Sequence, residues 1–392
     1  MTKLLKLFFL YLIPIFIFLT LLFPQTKLLF EEIGERWFYI FTFAFLLSYF
    51  STPAIRTLSL DMEIIDKPDE RKIHQTPTPR LGGLAVYIAF ASAVIFNFHF
   101  SLELKGIAIA ATLVILAGLI DDVMGLSAKI KLIVQLIAVS IIMYYGVILS
   151  FMPPVWWGNL FEIILTYIWV IGITNAMNFF DGMDGLAAGL TAIAALFISV
   201  VAIQTGQDYV MFLSIALLGS SMGFLPYNFR YRKPASIFLG DNGSTFMGFM
   251  LSSLTVMTGW ATDDPVKAYT MPFLILSILI FDMTYITICR IVKGDVKNLK
   301  EWIGFVGKDH LHHRLSNLGL SNKQTVLFIY LLSSSMGVSA IILKNGRTID
   351  AILLIIQTFL IFFIILILML KGGDNTKLRD RLHGITSDKI ES

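Results

Sequence analysis

The stretch LFEIILTYIWVIGITNAMNFFDGMDGLAAGLTAIAALFISVVA, Leu160 to Ala202, decides the fold. Two apolar runs, each long enough to cross a hydrocarbon core of ~30 Å, flank a junction of two amides, two carboxylates and two glycines. A polar junction between two greasy segments is a turn at the membrane surface. The rest of the chain repeats this layout. Of its 392 residues 56% are hydrophobic and only 15% charged, with 33 Phe, which excludes a soluble domain and fits a polytopic, all-α membrane protein.

Apolar runs fall near 5–23, 37–55, 82–98, 104–120, 132–150, 160–177, 186–204, 209–226, 245–259, 269–289, 324–343 and 350–370. They predict about eleven to twelve spans, 245–259 being the short one. Twenty-four of the thirty Lys and Arg residues fall in every second connection, counted from the N-terminus. That bias predicts that these connections and both termini face the cytoplasm. Residues 1–23 read as an uncleaved first helix, because no small-x-small site follows LLFPQTK. The expected organisation is a single membrane domain over 1–392: an added N-terminal helix in 1–35, a core over 36–345, and a last helix with a basic tail over 346–392. Cys289, alone in an apolar run, reads as a small buried hydrophobe.

The opposite-side connections, such as SFMPPVWWGN, carry no cluster of ionisable groups, so function is expected on the cytoplasmic side. There, DMEIIDKPDERKIHQTPTPRLGG gathers Lys67, Arg71, Lys72, His74 and Arg80, a basic loop suited to phosphate, although simple positive-inside topology also accounts for single residues. In LAGLIDDVMGLSAKIKL, Asp121 and Asp122 stand at the C-terminal end of a helix. Both the dipole and their mutual repulsion disfavour charge there, and a cation resolves both costs. Ser127 reads as the N-cap of the next helix.

In the opening stretch, Asn175 and Asn178 share a helix face, and Gly182 and Gly185 let the backbone turn. Asp181 and Asp184 then project from an irregular segment, with an N-cap as the plain alternative for Asp184. Asp241 lies in a Gly-Asp-Asn-Gly turn, ordinary by itself, but it is the third Asp-bearing helix boundary on this side. His310, His312, His313 and Arg314 crowd the last large loop. Three ligands so tightly spaced with no Cys partner fit zinc poorly and suit donors to phosphate.

Several carboxylates brought into one pocket require a divalent cation, and an all-oxygen set suits Mg²⁺ or Mn²⁺. Cation, basic loops and imidazoles together fit phosphoryl transfer, and no Walker A motif is present. The rival class is a cation-coupled transporter, whose carboxylates sit near the bilayer midplane. Glu162 and Asp282 are the charges inside spans to watch, Asp282 being either groove-lining or a satisfied helix group. A structural scaffold leaves the five Asp residues unexplained.

NAMNFFDGMDGLAAG, DDVMGLSAKIKL, LGDNGSTFMGF, DKPDERKIHQTPTPRLGG and DHLHHRLSNLGLS, in this order, resemble the polyprenyl-phosphate N-acetylhexosamine-1-phosphate transferases, over about residues 40–345. DHLHHRL and TPRLGG look like the WecA and TagO type, whereas the peptidoglycan branch typically has three consecutive His and TPTMGG. The resemblance implies transfer of GlcNAc-1-phosphate from UDP-GlcNAc to undecaprenyl phosphate with Mg²⁺, at a bacterial plasma membrane, starting a cell-surface polysaccharide or teichoic acid. Phospho-MurNAc-pentapeptide or UDP-GalNAc chemistry is the alternative. It implies catalytic roles for Asp121, Asp122 and Asp241, metal contacts for Asp122, Asp181 and Asp241, and substrate contacts for Lys72, Arg80, Asn178, Asp181, Asp184, His310, His312, His313 and Arg314. Membrane lipids are expected partners and nucleic acid is not; homodimerisation is left open.

Overall fold

The computed structural model describes residues 12–67, 76–97, 101–260, 264–298, 301, 307 and 310–387, with side chains described as far as Met369. Lys72, named above with Arg71 and His74, lies outside the described residues. The chain is almost entirely helical: α1 Ile13–Leu21, α2 Pro24–Glu32, α3 Arg36–Asp61, α4 Gly82–Asn97, α5 Leu102–Met124, α6 Ala128–Tyr144, α7 Trp156–Phe180, α8 Leu186–Gln204, α9 Asp208–Asn228, α10 Gly240–Met257, α11 Pro265–Ile275, α12 Ser277–Lys293, α13 Leu311–Asn317, α14 Asn322–Lys344 and α15 Thr348–Ser387. Each predicted apolar run falls on helix, the first being described from Ile13 onward and the tenth, 269–289, being divided between α11 and α12.

Among the described residues, seven helices are long and apolar enough to cross a membrane, or nine if each of two bent pairs counts as one span. This is fewer than the eleven to twelve predicted, for local reasons. The α4 helix has only 16 residues and α6 only 17, with Lys129 and Lys131 in its first turn. The first turn of α10, Gly240 to Ser244, is polar. The added N-terminal segment is itself bent, α1 meeting α2 at 82°, with Pro24 opening α2. The predicted tenth span is broken at Leu276, where α11 and α12 meet at 81°.

One continuous apolar core joins the helices. The most enclosed elements are α8, with 78% of its apolar window buried, and α10, whose residues from Asn242 to Val256 are all buried. The outlying α15 buries 22%, leaving its Leu, Ile and Phe side chains for lipid. Glu162, the charge inside α7, is satisfied: its carboxylate accepts the backbone N–H groups of Phe151 (2.5 Å) and Met152 (2.6 Å) and closes the α6–α7 connection.

A two-stranded antiparallel hairpin, β1 Ile65–Asp66 and β2 Thr78–Pro79, is the one sheet among the described residues. Its second strand continues into backbone pairing with the segment ahead of α10: Phe238 N–H donates to Pro79 O (2.7 Å), Gly82 N–H to Phe238 O (2.9 Å) and Gly83 N–H to Leu239 O (2.7 Å). This ladder delivers Arg80 to Gly240 and Asp241.

Candidate active site

Four segments distant in sequence converge at one end of the bundle. Asp121 and Asp122 close the last turn of α5, which stops at Gly125. Ser127 caps α6 as expected, accepting Ile130 N–H (3.5 Å), and so fixes Lys131 one turn into that helix. Asn178 lies on the last turn of α7, and Asp241 on the first turn of α10.

Lys131 joins three of them. Its Nζ donates to Asp241 Oδ2 (2.7 Å) and pairs with the Asp121 carboxylate. Asn178 Nδ2 donates to Asp241 Oδ1 (3.2 Å) and to Ser244 Oγ (2.9 Å). Asp121 Oδ1 also accepts Leu126 N–H (2.6 Å), which anchors the exit of α5. An amide clasp one turn deeper holds α6 against α7, with Asn175 Nδ2 donating to Gln135 Oε1 (2.9 Å).

Asp122 is committed to its own chain. Its buried carboxylate accepts Arg80 Nε (3.0 Å) and Nη2 (2.7 Å), Asp241 N–H (3.1 Å), Asn242 N–H (2.9 Å) and Asn242 Nδ2 (2.5 Å). It therefore fastens the basic loop and the start of α10 to the end of α5. Arg80 is held by a carboxylate and is 30% exposed, so its outer face is open to solvent.

The turn after α7 supplies Asp181 and Asp184. Gly185 adopts φ +79° where α8 begins, a conformation that disfavours a side chain, and its N–H donates to Asn228 Oδ1 (2.8 Å) while its carbonyl accepts the Tyr330 hydroxyl. Gly185, not Asp184, is the N-cap of α8. The Asp184 carboxylate instead accepts Ala235 N–H (2.8 Å) and ties this turn to the segment preceding α10. Burial first, then the carboxylates of Asp241 and Asp122, push the Asp181 carboxyl well above the usual range, against the pull of Arg80.

The histidine segment packs on the same turn. The Phe179 and His310 rings stack at 4.8 Å, and those of Phe180 and His312 approach to 5.7 Å. A Cβ on Gly182 would stand 2.6 Å from His312 Nε2, so only glycine admits the imidazole there. His312 is buried, and neither ring nitrogen has a partner among the described residues. Burial, then His313 and His310, hold its pKa well below the ordinary value. His313 lies against His312 (4.2 Å), and the Arg314 guanidinium lies over the Tyr285 ring (5.0 Å).

The structure thus brings Arg80, Asp121, Asp122, Asn178 and Asp241 into one bonded cluster, with Asp181 coupled to it electrostatically. Asp184 belongs to the adjoining turn, and His310, His312, His313 and Arg314 to the start of α13. Sequence reasoning did not single out Lys131, Asn242 or Asn228. Lys131 was legible in one respect: it follows the Ser127 cap by four residues and so must lie in the first turn of α6.

Among the described residues no three His, Cys, Asp or Glu side chains are gathered closely enough to hold a metal ion, and Lys131 supplies the positive charge shared by Asp121 and Asp241. The donor chemistry nevertheless suits a hard divalent cation: burial and the carboxylates of Asp241 and Asp122 disfavour charge on Asp181, a cost that a cation would offset.

Comparison with known proteins places this arrangement. A family model described as "Glycosyl transferase family 4" matches residues 104–259, the part that holds Asp121, Asp122, Asn178, Asp181, Asp184 and Asp241. The chain is 37% identical over 317 residues, 79% of this chain and 86% of the relative, to a probable undecaprenyl-phosphate N-acetylglucosaminyl 1-phosphate transferase of Bacillus subtilis (strain 168). It is 36% identical to the decaprenyl-phosphate N-acetylglucosaminephosphotransferase of Mycolicibacterium smegmatis, over 74% of this chain and 77% of that one. It is 26% identical to the undecaprenyl-phosphate alpha-N-acetylglucosaminyl 1-phosphate transferase of Escherichia coli (strain K12), over 83% and 88%. The extent and identity of the match show that the chain belongs to glycosyl transferase family 4, the family of polyprenyl-phosphate N-acetylhexosamine-1-phosphate transferases.

Proposed function

We propose that the protein transfers GlcNAc-1-phosphate from UDP-GlcNAc to undecaprenyl phosphate, forming undecaprenyl-diphosphate-GlcNAc and releasing UMP. The observation that carries this reading is the bonded cluster of Lys131 and Arg80 with Asp121, Asp122 and Asp241, at the end of an apolar bundle and near a buried His312 whose ring nitrogens have no partner among the described residues. The relatives named for this reaction support the choice of sugar and lipid. A site at the end of membrane helices suits one water-soluble and one lipid-borne substrate. The Lys and Arg bias supports a cytoplasmic site at a bacterial plasma membrane, and the product is suited to begin a surface polymer.

In the direct scheme an oxygen of the lipid phosphate attacks the β-phosphorus of UDP-GlcNAc. The bond from that phosphorus to the bridging oxygen breaks, and UMP leaves with the electron pair. A phosphate monoester has its second pKa near ~6, so the nucleophile is already largely ionised at neutral pH and needs little from Asp121 as base. Arg80 and Lys131 offset charge on the phosphates. His312 offers ring nitrogens that no described residue engages, and Asn178 with Ser244 keeps Asp241 in place. Asp181 and Asp241 are the residues that would hold Mg²⁺, with Asp121 and Asp122 next to them. A divalent cation held there would supply positive charge to offset that of the phosphates.

The test is transfer of β-³²P label from UDP-GlcNAc to undecaprenyl phosphate by purified protein, with and without Mg²⁺, beside Asp121→Asn and Asp241→Asn. Metal-dependent labelled lipid that the variants fail to make supports the reading. Label taken only from another UDP-sugar keeps the chemistry and overturns the substrate. Exchange of UMP into UDP-GlcNAc without lipid would replace direct attack by a two-step route through an aspartyl phosphate.

A further inference from the structure

Asp282 is fully buried on α12, the inner half of the broken span, and its role lies outside the cluster described above. Its Oδ2 stands 2.7 Å from His310 Nδ1, and its Oδ1 accepts Leu311 N–H at 2.6 Å. His310 is itself buried, with its ring stacked on Phe179 at 4.8 Å and 29°. One turn further along α12, Tyr285 lies under the Arg314 guanidinium. The histidine segment is therefore seated on α12 at two points, and only one of them involves a side chain that selects a protonation pattern.

We propose that Asp282 is a positioning residue, which takes the Nδ1–H of His310 and so presents Nε2 of that ring to the phosphates of the substrates. The inference rests on the transferase reading above. A carboxylate accepts but does not donate, so the Nδ1 facing it must carry the proton. The neutral ring then has its lone pair on Nε2, and the protonated ring donates from Nε2 to a phosphate oxygen. The second carboxylate oxygen is locked by Leu311 N–H, which stops the group from rotating away. Partners that fix a reactive imidazole through its other nitrogen typically change activity by about ten- to hundredfold when removed.

Asp282→Asn separates this role from packing. The Leu311 N–H keeps an oxygen as its acceptor, which turns the amide NH₂ toward His310 Nδ1 and forces the proton onto Nε2. Shape and burial are kept while the tautomer reverses. With the wild-type protein first shown to make labelled lipid, Asp282→Asn is expected to lower kcat by about ten- to hundredfold with KM for UDP-GlcNAc changed less than about threefold. Failure of the wild type to make product indicts the transferase reading alone.

The second measurement does not depend on turnover. In protein with ¹⁵N-labelled histidine rings, the signals that vanish in His310→Gln belong to His310. They are expected to report Nδ1–H in the wild type and neutral Nε2–H in Asp282→Asn. A near-wild-type kcat in Asp282→Asn, or His310 signals of one tautomer in both proteins, overturns the proposal.

Discussion

Lys131 Nζ stands between two carboxylates carried by different helices, 2.7 Å from Asp241 Oδ2 and paired with Asp121. One ammonium thus fixes the separation of the ends of α5, α6 and α10. Replacing it by methionine leaves the Asp121 and Asp241 carboxylates without the cation they share. Lys131→Met is expected to lower kcat/KM by about 10²–10³-fold, the usual cost of losing one preorganised charge at a reacting centre. Lys131→Arg is expected to recover only part of this, because the bulkier guanidinium, with donors fixed in a plane, does not reproduce a compact ammonium placed where the two carboxylates converge. Steady-state kinetics decide: equal activity in Lys131→Met and wild type would make the ammonium a bystander.

Asp122 is the member of the acidic cluster whose removal should be felt most in stability. Its carboxylate is buried and accepts five hydrogen bonds, two of them from Arg80. Asp122→Ala strands the guanidinium and the N–H groups of Asp241 and Asn242. Breaking such a pair costs about 3–5 kcal/mol when both partners are buried, and Arg80 is partly exposed, so the lower end of that range is expected. Thermal unfolding in detergent should show it, and Arg80→Met added to Asp122→Ala should return part of the loss. Full additivity of the two changes would refute the pairing as the source.

The sequence made the bundle and its acidic turns legible because both are local. Span-length apolar runs, the Ser127 cap and glycines between carboxylates carry their meaning within a few residues. What joins those turns is not local. The contact of Asp122 with Asn242 crosses 120 positions and that of Lys131 with Asp241 crosses 110, so spacing alone could not show that Lys131 completes the cluster. Asp282 was ambiguous for the same reason. Its partners, His310 and Leu311, stand at the start of α13, 28 and 29 positions further along the chain, and the break at Leu276 leaves the apolar run uninterrupted. The N-cap alternative for Asp184 does not hold, because the left-handed turn at Gly185 takes the cap position and the Asp184 carboxylate accepts the N–H of Ala235 instead.

His312 gives the protein a pH dependence of definite sign. Burial, then His313 and His310, keep its folded-state pKa well below the ordinary 6.5. The unfolded chain therefore binds a proton that the folded one refuses. Near pH 7.5 both states are neutral and the residue contributes nothing. As pH falls below about 6.5, stability is lost by up to about 1.4 kcal/mol per pH unit, until the folded ring protonates too. His312→Phe keeps a ring beside Phe180 and removes the titration. Melting temperatures of the two proteins should diverge between pH 7.5 and 5.5, the variant gaining on the wild type; parallel curves would rule out a buried neutral imidazole.

Asn228 joins the turn that bears Asp181 and Asp184 to the segment that leads into Asp241. Its Oδ1 accepts Gly185 N–H (2.8 Å), its Nδ2 donates to Ile237 O (3.0 Å), and it is buried on the last turn of α9. Both partners are backbone groups, so the contact sets where the chain runs and not which side chains it bears. Asn228→Ala leaves a buried donor and a buried acceptor unpaired, each costing about 1–3 kcal/mol unless water enters. Asn228→Asp keeps the acceptor for Gly185 but sets a carboxylate against the Ile237 carbonyl, so it should rescue little. Because the Tyr330 hydroxyl still holds the Gly185 carbonyl, the turn should shift without detaching. The expected signature is a melting temperature lowered in both variants together with a raised KM for UDP-GlcNAc, since Asp181 and Asp184 would no longer stand in register with Asp241. A lowered melting temperature with an unchanged KM would confine Asn228 to stability and separate the turn from nucleotide-sugar binding.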